Sequence, residues 1–164
     1  MRLPAVPFGP ARAVRAGLFA AALMSTASCA ILGGGPPKPR MESLEMTSTP
    51  DANSCGRESG NSLYFRVLQV TDASPLEGLP LDQVWDKEEK VLGPALVAEK
   101  YEDVIDAGSK RVFQIKHDAR AKSIVVVGNF CKTSGACWRI VHPVSAGLKL
   151  GLTADASCLS EAKR

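Results

Sequence analysis

Short runs in which apolar and polar side chains alternate recur along most of the chain, and they predict strands. Residues 41–49 (MESLEMTST) alternate loosely. Residues 63–71 (LYFRVLQVT) add β-branched and aromatic side chains, which suit a pleated, half-buried surface. Residues 100–106 and 110–116 (KRVFQIK) flank Ala107, Gly108 and Ser109, a turn signal that reads as a hairpin. Residues 123–130 (SIVVVGNF) form an apolar run of the kind found in a central strand. Residues 138–144 and 148–153 complete the set. Short strands at regular spacing, with turn residues between them, predict an all-β sandwich.

One segment breaks the period of two. Pro80 suits a helix start, and Leu81, Val84 and Trp85 then fall at i, i+3 and i+4, one apolar stripe. The charged run 86–90 (DKEEK) reads as a solvated face and turn. A second short helix is expected around residues 92–98, with Pro94 limiting its start.

The amino terminus has a different pattern. Arg2, Arg12 and Arg15 precede an uninterrupted apolar run, residues 16–24 (AGLFAAALM). That run is too short to cross a bilayer, which takes about 20 apolar residues, so it reads as the core of an export signal. Small residues Ser25 to Ser28 then lead into Cys29. A small-residue triplet ending in Cys resembles the lipobox of bacterial lipoproteins. The resemblance implies cleavage before Cys29 and acyl chains that hold the protein on a lipid bilayer. Several chains anchor stably where one alone is marginal. Ala30, rather than Asp, follows the Cys, which by the same resemblance implies the outer membrane, periplasmic face. The expected organisation is a signal peptide at 1–28, a lipidated Gly/Pro tether at 29–40 and a β-sandwich domain at 41–164.

Processing changes the charge picture. The 164-residue chain has 20 basic and 17 acidic residues; residues 1–28 hold three Arg and no acid, so 17 of each remain. The excess positive charge belongs to the signal, and no nucleic-acid footprint survives. Four cysteines remain after Cys29, an even number suited to two disulfides in an oxidising compartment. Three pairings are open. The favoured one joins Cys131 to Cys137 across an apparent hairpin tip, and Cys55 to Cys158 as a tie from an early loop to the tail. Zinc would need C-x-x-C-type spacing or His partners, which these cysteines lack.

No pattern for catalysis emerges. The chain carries no H-E-x-x-H, no G-x-S-x-G and no phosphate loop with Lys. His117 reads as an exposed loop residue, His142 as a residue near a strand end, and Trp85 and Trp138 as core residues. These readings predict a binding or scaffold protein without cofactor rather than an enzyme.

Over residues 56–144 the order of features resembles the TssJ family (also VasD or SciN), the outer-membrane lipoproteins of type VI secretion systems. Gly56-Arg57 and the strand with Arg66, Val67 and Gln69 match its first motif. Leu81 to Trp85 stands for its short helix, and Leu92-Gly93-Pro94-Ala95-Leu96 for a Leu-Gly step. Asp106-Ala107-Gly108 replaces its Pro-Gly turn. Gly128 to Cys131 and Trp138-Arg139 stand for its last apolar strand and Trp-Arg pair. Cys55, Cys131 and Cys137 depart from the family pattern. The resemblance implies a transthyretin-like sandwich whose first interstrand loop binds the periplasmic domain of TssM. By position that loop is 51–60, with Asp51, Asn53, Gly56, Arg57 and Glu58 as the contact residues. The competing expectation is an envelope lipoprotein that uses the same fold for another protein or solute partner.

Overall fold

The structure, a computed structural model, describes residues 40–144 and 149–162. The signal peptide, Cys29 and the tether up to residue 39 lie outside the described residues. Within them, eight strands are β1 (Arg40–Ser48), β2 (Leu63–Val70), β3 (Tyr101–Ile105), β4 (Lys110–His117), β5 (Ser123–Gly128), β6 (Arg139–Pro143), β7 (Lys149–Ala154) and β8 (Leu159–Glu161). One sheet runs β4-β1-β7-β8 and the other β3-β2-β5-β6. β1 and β7 are parallel, and the other described pairs are antiparallel.

Period-two patterning explains which faces meet. β1 turns Leu44 and Met46 inward and leaves Ser43, Glu45 and Thr47 half-exposed. β4 turns in Phe113 and Ile115. These oppose Phe65 and Val67 of β2 and Ile124 and Val126 of β5. Phe65 and Phe113 meet edge to face at 4.9 Å across the core, a favoured aromatic geometry. β5 is buried from Ile124 to Gly128, as a strand covered on both faces must be.

The connection from β2 to β3 supplies that outer cover. It carries a 3₁₀ turn (Ser74–Leu76), helix α1 (Leu81–Leu92) and a second 3₁₀ turn (Gly93–Ala95). α1 buries Val84, Glu88 and Leu92. The helix continues through the charged segment 86–90 but is kinked at Lys87, whose φ and ψ are −139° and 27°. The expected solvated face holds for Asp86, Lys87, Glu89 and Lys90, the expected turn amounts to this kink, and the second helix expected at 92–98 shrinks to a single 3₁₀ turn at Pro94. Glu88 is the exception in the charged run. It is only 4% exposed because Arg66 of β2 and Lys100 pair with it. Arg66 also reaches Glu102 and the Trp85 carbonyl, and its guanidinium lies 4.0 Å over the Trp85 ring. Trp85 is half-buried beneath it, whereas Trp138 is a core residue as expected.

The turn at 107–109 forms, but not as a hairpin. β3 pairs with β2, while β4 pairs with β1 along the register from Arg40↔His117 to Thr47↔Lys110. The corner is held by the end of β1: Gly108 N–H donates to Thr49 O at 3.0 Å, and Ser48 N–H donates to Ser109 O at 2.8 Å. β3 and β4 thus become free edges of opposite sheets. Gln69, buried in β2, braces them. Its Nε2 donates to Lys116 O at 2.8 Å, and its Oε1 accepts from Asp118 N–H at 2.7 Å. His117 continues the inward alternation of β4 and is 3% exposed, so the expected exposed loop residue is a core residue. β8 was not anticipated from sequence; His142 Nδ1 of β6 lies 2.9 Å from its Glu161.

Gln69→Leu should lower unfolding free energy by about 2 kcal/mol in urea denaturation, because two backbone groups lose their partner between the sheets. Glu88 gives a pH signature. Burial pushes its carboxyl up, but the hydrogen bond from Lys100 and the charges of Arg66 and Lys100 outweigh this and hold it below the usual 4.5. A depressed carboxyl stabilises the fold above that value, and the contribution is lost as pH falls through the folded-state value. Glu88→Gln should therefore cost about 2 kcal/mol at pH 7, less than the roughly 3–5 for a fully buried pair because Lys100 keeps solvent contact. The difference from wild type should shrink in denaturation experiments as pH is lowered from 7 through the depressed folded-state value of Glu88.

Candidate functional site

All four loops 49–62, 106–109, 129–138 and 155–158 leave one end of the sandwich, as the strand directions require. Arg40, where the described chain begins, stands at the other end of β1. The loop predicted to carry contacts, 51–60, is a built structure rather than a plain polar hairpin. Asn53, Cys55 and Gly56 all take left-handed backbone, with φ of 50°, 59° and 81°. Asn accepts that region more readily than most side chains, and Gly accepts it without a Cβ penalty.

Asn53 is 7% exposed and reaches three loops. Its Oδ1 accepts from Cys131 N–H at 3.0 Å, and its Nδ2 donates to Ser62 O at 3.0 Å. Its own N–H donates to Asp155 O at 3.0 Å, and its carbonyl accepts from Asn61 Nδ2 at 2.8 Å. The loop closes on itself through Gly60 N–H to Pro50 O and Asn61 N–H to Ala52 O. Gly60 is required there, since a Cβ would lie 2.6 Å from both Pro50 O and Ala52 O.

Two disulfides finish the assembly, and their pairing differs from expectation. Cys55 joins Cys131, and Cys137 joins Cys158, with Cα separations of 5.5 and 5.0 Å. Both separations suit a bridge. Asn53 draws Cys131 toward Cys55 by binding its N–H. β8 brings Cys158 beside Cys137, where Leu159 N–H donates to Cys137 O at 2.7 Å. The expected Cys131–Cys137 and Cys55–Cys158 bridges are therefore replaced, because the 131–137 segment meets two other loops instead of closing on itself. The loops β1–β2, β5–β6 and β7–β8 are consequently one covalently linked unit.

Of the five predicted contact residues, Asp51, Gly56, Arg57 and Glu58 are exposed. Asn53 is not; its side-chain amide is spent on Ser62 and Cys131 within the domain. Just beyond the loop, Tyr64 is 63% exposed at the start of β2. The site offers a rigid polar tip of mixed charge. Among the described residues no group of three His, Cys, Asp or Glu side chains could hold a metal ion.

The family model described as type VI secretion lipoprotein, VasD, EvfM, TssJ, VC_A0113 matches residues 41–156. The chain belongs to this family. No curated protein sequence gives a significant match. Among solved structures, Serratia marcescens Lip, a membrane-bound component of the type VI secretion system, superposes with a TM-score of 0.68 at 17% identity, over 75% of this chain and 97% of that one. The type VI lipoprotein TssJ1 from Pseudomonas aeruginosa gives 0.65 at 21% identity, over 77% and 97%. A chain of a structure described as the TssM C-terminal domain (869–1107) from EAEC gives 0.65 at 13% identity, over 76% and 98%. At these identities the likeness is one of fold. The TssJ-family match spans β1 to the β7–β8 loop, so the disulfide-linked loops lie almost wholly within it.

Peptide mapping of the non-reduced protein should recover Cys55 linked to Cys131 and Cys137 linked to Cys158. A Cys131–Cys137 peptide would contradict the loop arrangement.

Proposed function

We propose that this type VI secretion lipoprotein is a non-catalytic scaffold of the outer membrane. Acyl chains on Cys29 anchor it, and the tip of the 51–60 loop binds the periplasmic domain of TssM. The observation that carries this reading is the loop itself. Asn53, Gly60 and the Cys55–Cys131 bridge fix its backbone while Arg57 and Glu58 stay exposed. A partner that binds such a tip pays little ordering entropy on association.

Geometry supports the division of labour. β1 is nine residues long and separates Arg40 from the loop by about 30 Å at the usual strand rise. The chain enters the domain at Arg40, at the end of β1 opposite the loop. The family match supports the same reading, as does the likeness to a chain of a structure described as the TssM C-terminal domain.

The test is binding of the mature chain to the purified periplasmic TssM domain from the same genome. Arg57→Ala and Glu58→Ala should each weaken binding about tenfold, which is roughly 1.4 kcal/mol, with thermal stability unchanged. Equal affinity of both variants and wild type would remove the loop from the interface. Absence of binding by wild type would remove the partner.

A further inference from the structure

The largest cavity, about 690 Å³, opens between the unpaired edges of β3 and β4, where Arg111 Nη1 donates to Val104 O at 2.7 Å and Arg120 donates to Val97 O. Its lining is mostly polar or charged and points to no one ligand. A different hollow adjoins the loop end. It is an open groove of about 550 Å³ between the first two turns of α1 and the 129–133 segment. Leu81 and Trp85 fall at i and i+4 along its helical side, Pro80 stands at the helix start, and Phe130, Cys131 and Thr133 form the opposite wall. Cys131 is bonded to Cys55, so the groove begins where the 51–60 loop is fastened.

Two carboxylates flank these apolar side chains. Asp82 and Asp86 are exposed, line the groove and also fall at i and i+4 on α1. Like charges at that spacing repel each other on a helix. Among the described residues neither carboxylate has an ion-pair partner, because the nearby cations are engaged or turned elsewhere. Arg66 lies over the Trp85 ring and serves Glu88 and Glu102. Lys87 and Lys90 line a separate cleft that opens toward Lys100. Lys132 Nζ lies over Gly56, 2.8 Å from where a Cβ on that residue would sit. The positive end of α1 amounts to about half a charge, which two full carboxylate charges outweigh. The groove thus joins apolar walls and an aromatic ring to an unbalanced negative charge.

We propose that this groove receives an arginine side chain from the protein that binds the 51–60 loop, its methylene stem lying on Pro80, Leu81 and Trp85 and its guanidinium reaching Asp82 and Asp86. That the protein is the periplasmic TssM domain rests on the proposed loop interface; the chemistry of the anchor rests on the groove. A long basic side chain covers apolar surface with its stem while its charge stays hydrated. Arginine suits the site better than lysine, because its planar fork matches carboxylate oxygens in pairs and stacks on an aromatic face. An anionic ligand would be repelled, and a wholly apolar one would cover two carboxylates without pairing them. Continuity favours the same partner. A protein seated on the loop tip reaches the groove across the Cys55–Cys131 bridge, and Trp85 links the groove to a second hollow that holds the exposed Tyr64 and Val104. Trp, Tyr and Arg are the side chains that most often carry binding energy at protein interfaces.

The test is titration of the purified periplasmic TssM domain into the mature chain, with groove and loop variants side by side. Asp82→Asn combined with Asp86→Asn should weaken binding about tenfold and flatten the fall of affinity with added salt. Thr133→Trp, which fills the groove from an exposed position, should weaken it at least as much. Glu89→Gln, on the same helix but outside the groove, should bind as wild type does. All of these variants should keep the wild-type circular dichroism spectrum. Loss in Arg57→Ala and Glu58→Ala, with wild-type affinity in both groove variants, would overturn the groove and leave the loop interface standing. Loss in the groove variants alone would uphold the groove and remove the loop. Loss in Thr133→Trp without loss in the double Asp variant would overturn the arginine. An equal loss in Glu89→Gln would make the effect one of overall charge and overturn the groove as well. No binding by wild type would remove the partner and this anchor with it.

Discussion

Asn53 sits where three loops converge, and the end of the sandwich is organised around its hydrogen bonds. A loop of 14 residues between β1 and β2 would ordinarily carry many conformations. Here one buried amide ties Ser62 and the N–H of Cys131, while its backbone ties Asp155 and Asn61. The same residue takes the left-handed backbone that turns the chain back toward Gly60. Replacing it with a residue lacking the amide would leave the Cys131 N–H and the Ser62 carbonyl without their partners, and most other side chains would also resist its φ. The two disulfides then lock what the amide arranges. In the chain-entropy model their separations of 76 and 21 residues correspond to about 4.5 and about 3.3 kcal/mol, as upper-end values.

The sequence made the sheet content legible because the strands keep a period of two. β1, β2, β4 and β5 fall within a residue or two of their expected bounds, since Leu44, Met46, Phe113 and Ile115 alternate with polar residues. What alternation cannot encode is which strand pairs with which. The sequence 100–116 has the form of a hairpin, yet β4 gains eight paired residues with β1, and the corner at 107–109 is bonded to the end of β1. The short β8 carries too few residues for its pattern to register. Glu88 was unreadable for a related reason. A carboxylate in a charged run looks solvated unless one knows that Arg66 and Lys100, far away in sequence, arrive beside it.

The candidate site was legible in outline and not in detail. Position in the chain pointed to residues 51–60, and Arg57 and Glu58 are exposed there. The residue types alone did not separate Asn53 from its neighbours, because a loop Asn is usually a surface residue. The signal that could have done so is its spacing. An Asn two residues before a Cys-Gly step, followed by Gly60-Asn61, is a concentration of residues that tolerate left-handed or crowded backbone.

The crossing of the chain from β3 to β4 links the two ends of the molecule. By sending β4 to the other sheet it fixes the corner 106–109 among the loops, where Ser62 Oγ donates to Asp106 at 2.7 Å. By the same step it leaves β3 and β4 unpaired toward the Arg40 end, where Gln69 and two arginines hold the sheets at a distance instead of a ladder. A ladder would have closed the cleft and given the inner face of β4 no opening. Side-chain bridges close the edge only at points, so a cavity remains between them with His117 on its wall. A covalently linked loop end and an open cleft at the Arg40 end are therefore two consequences of one topological choice.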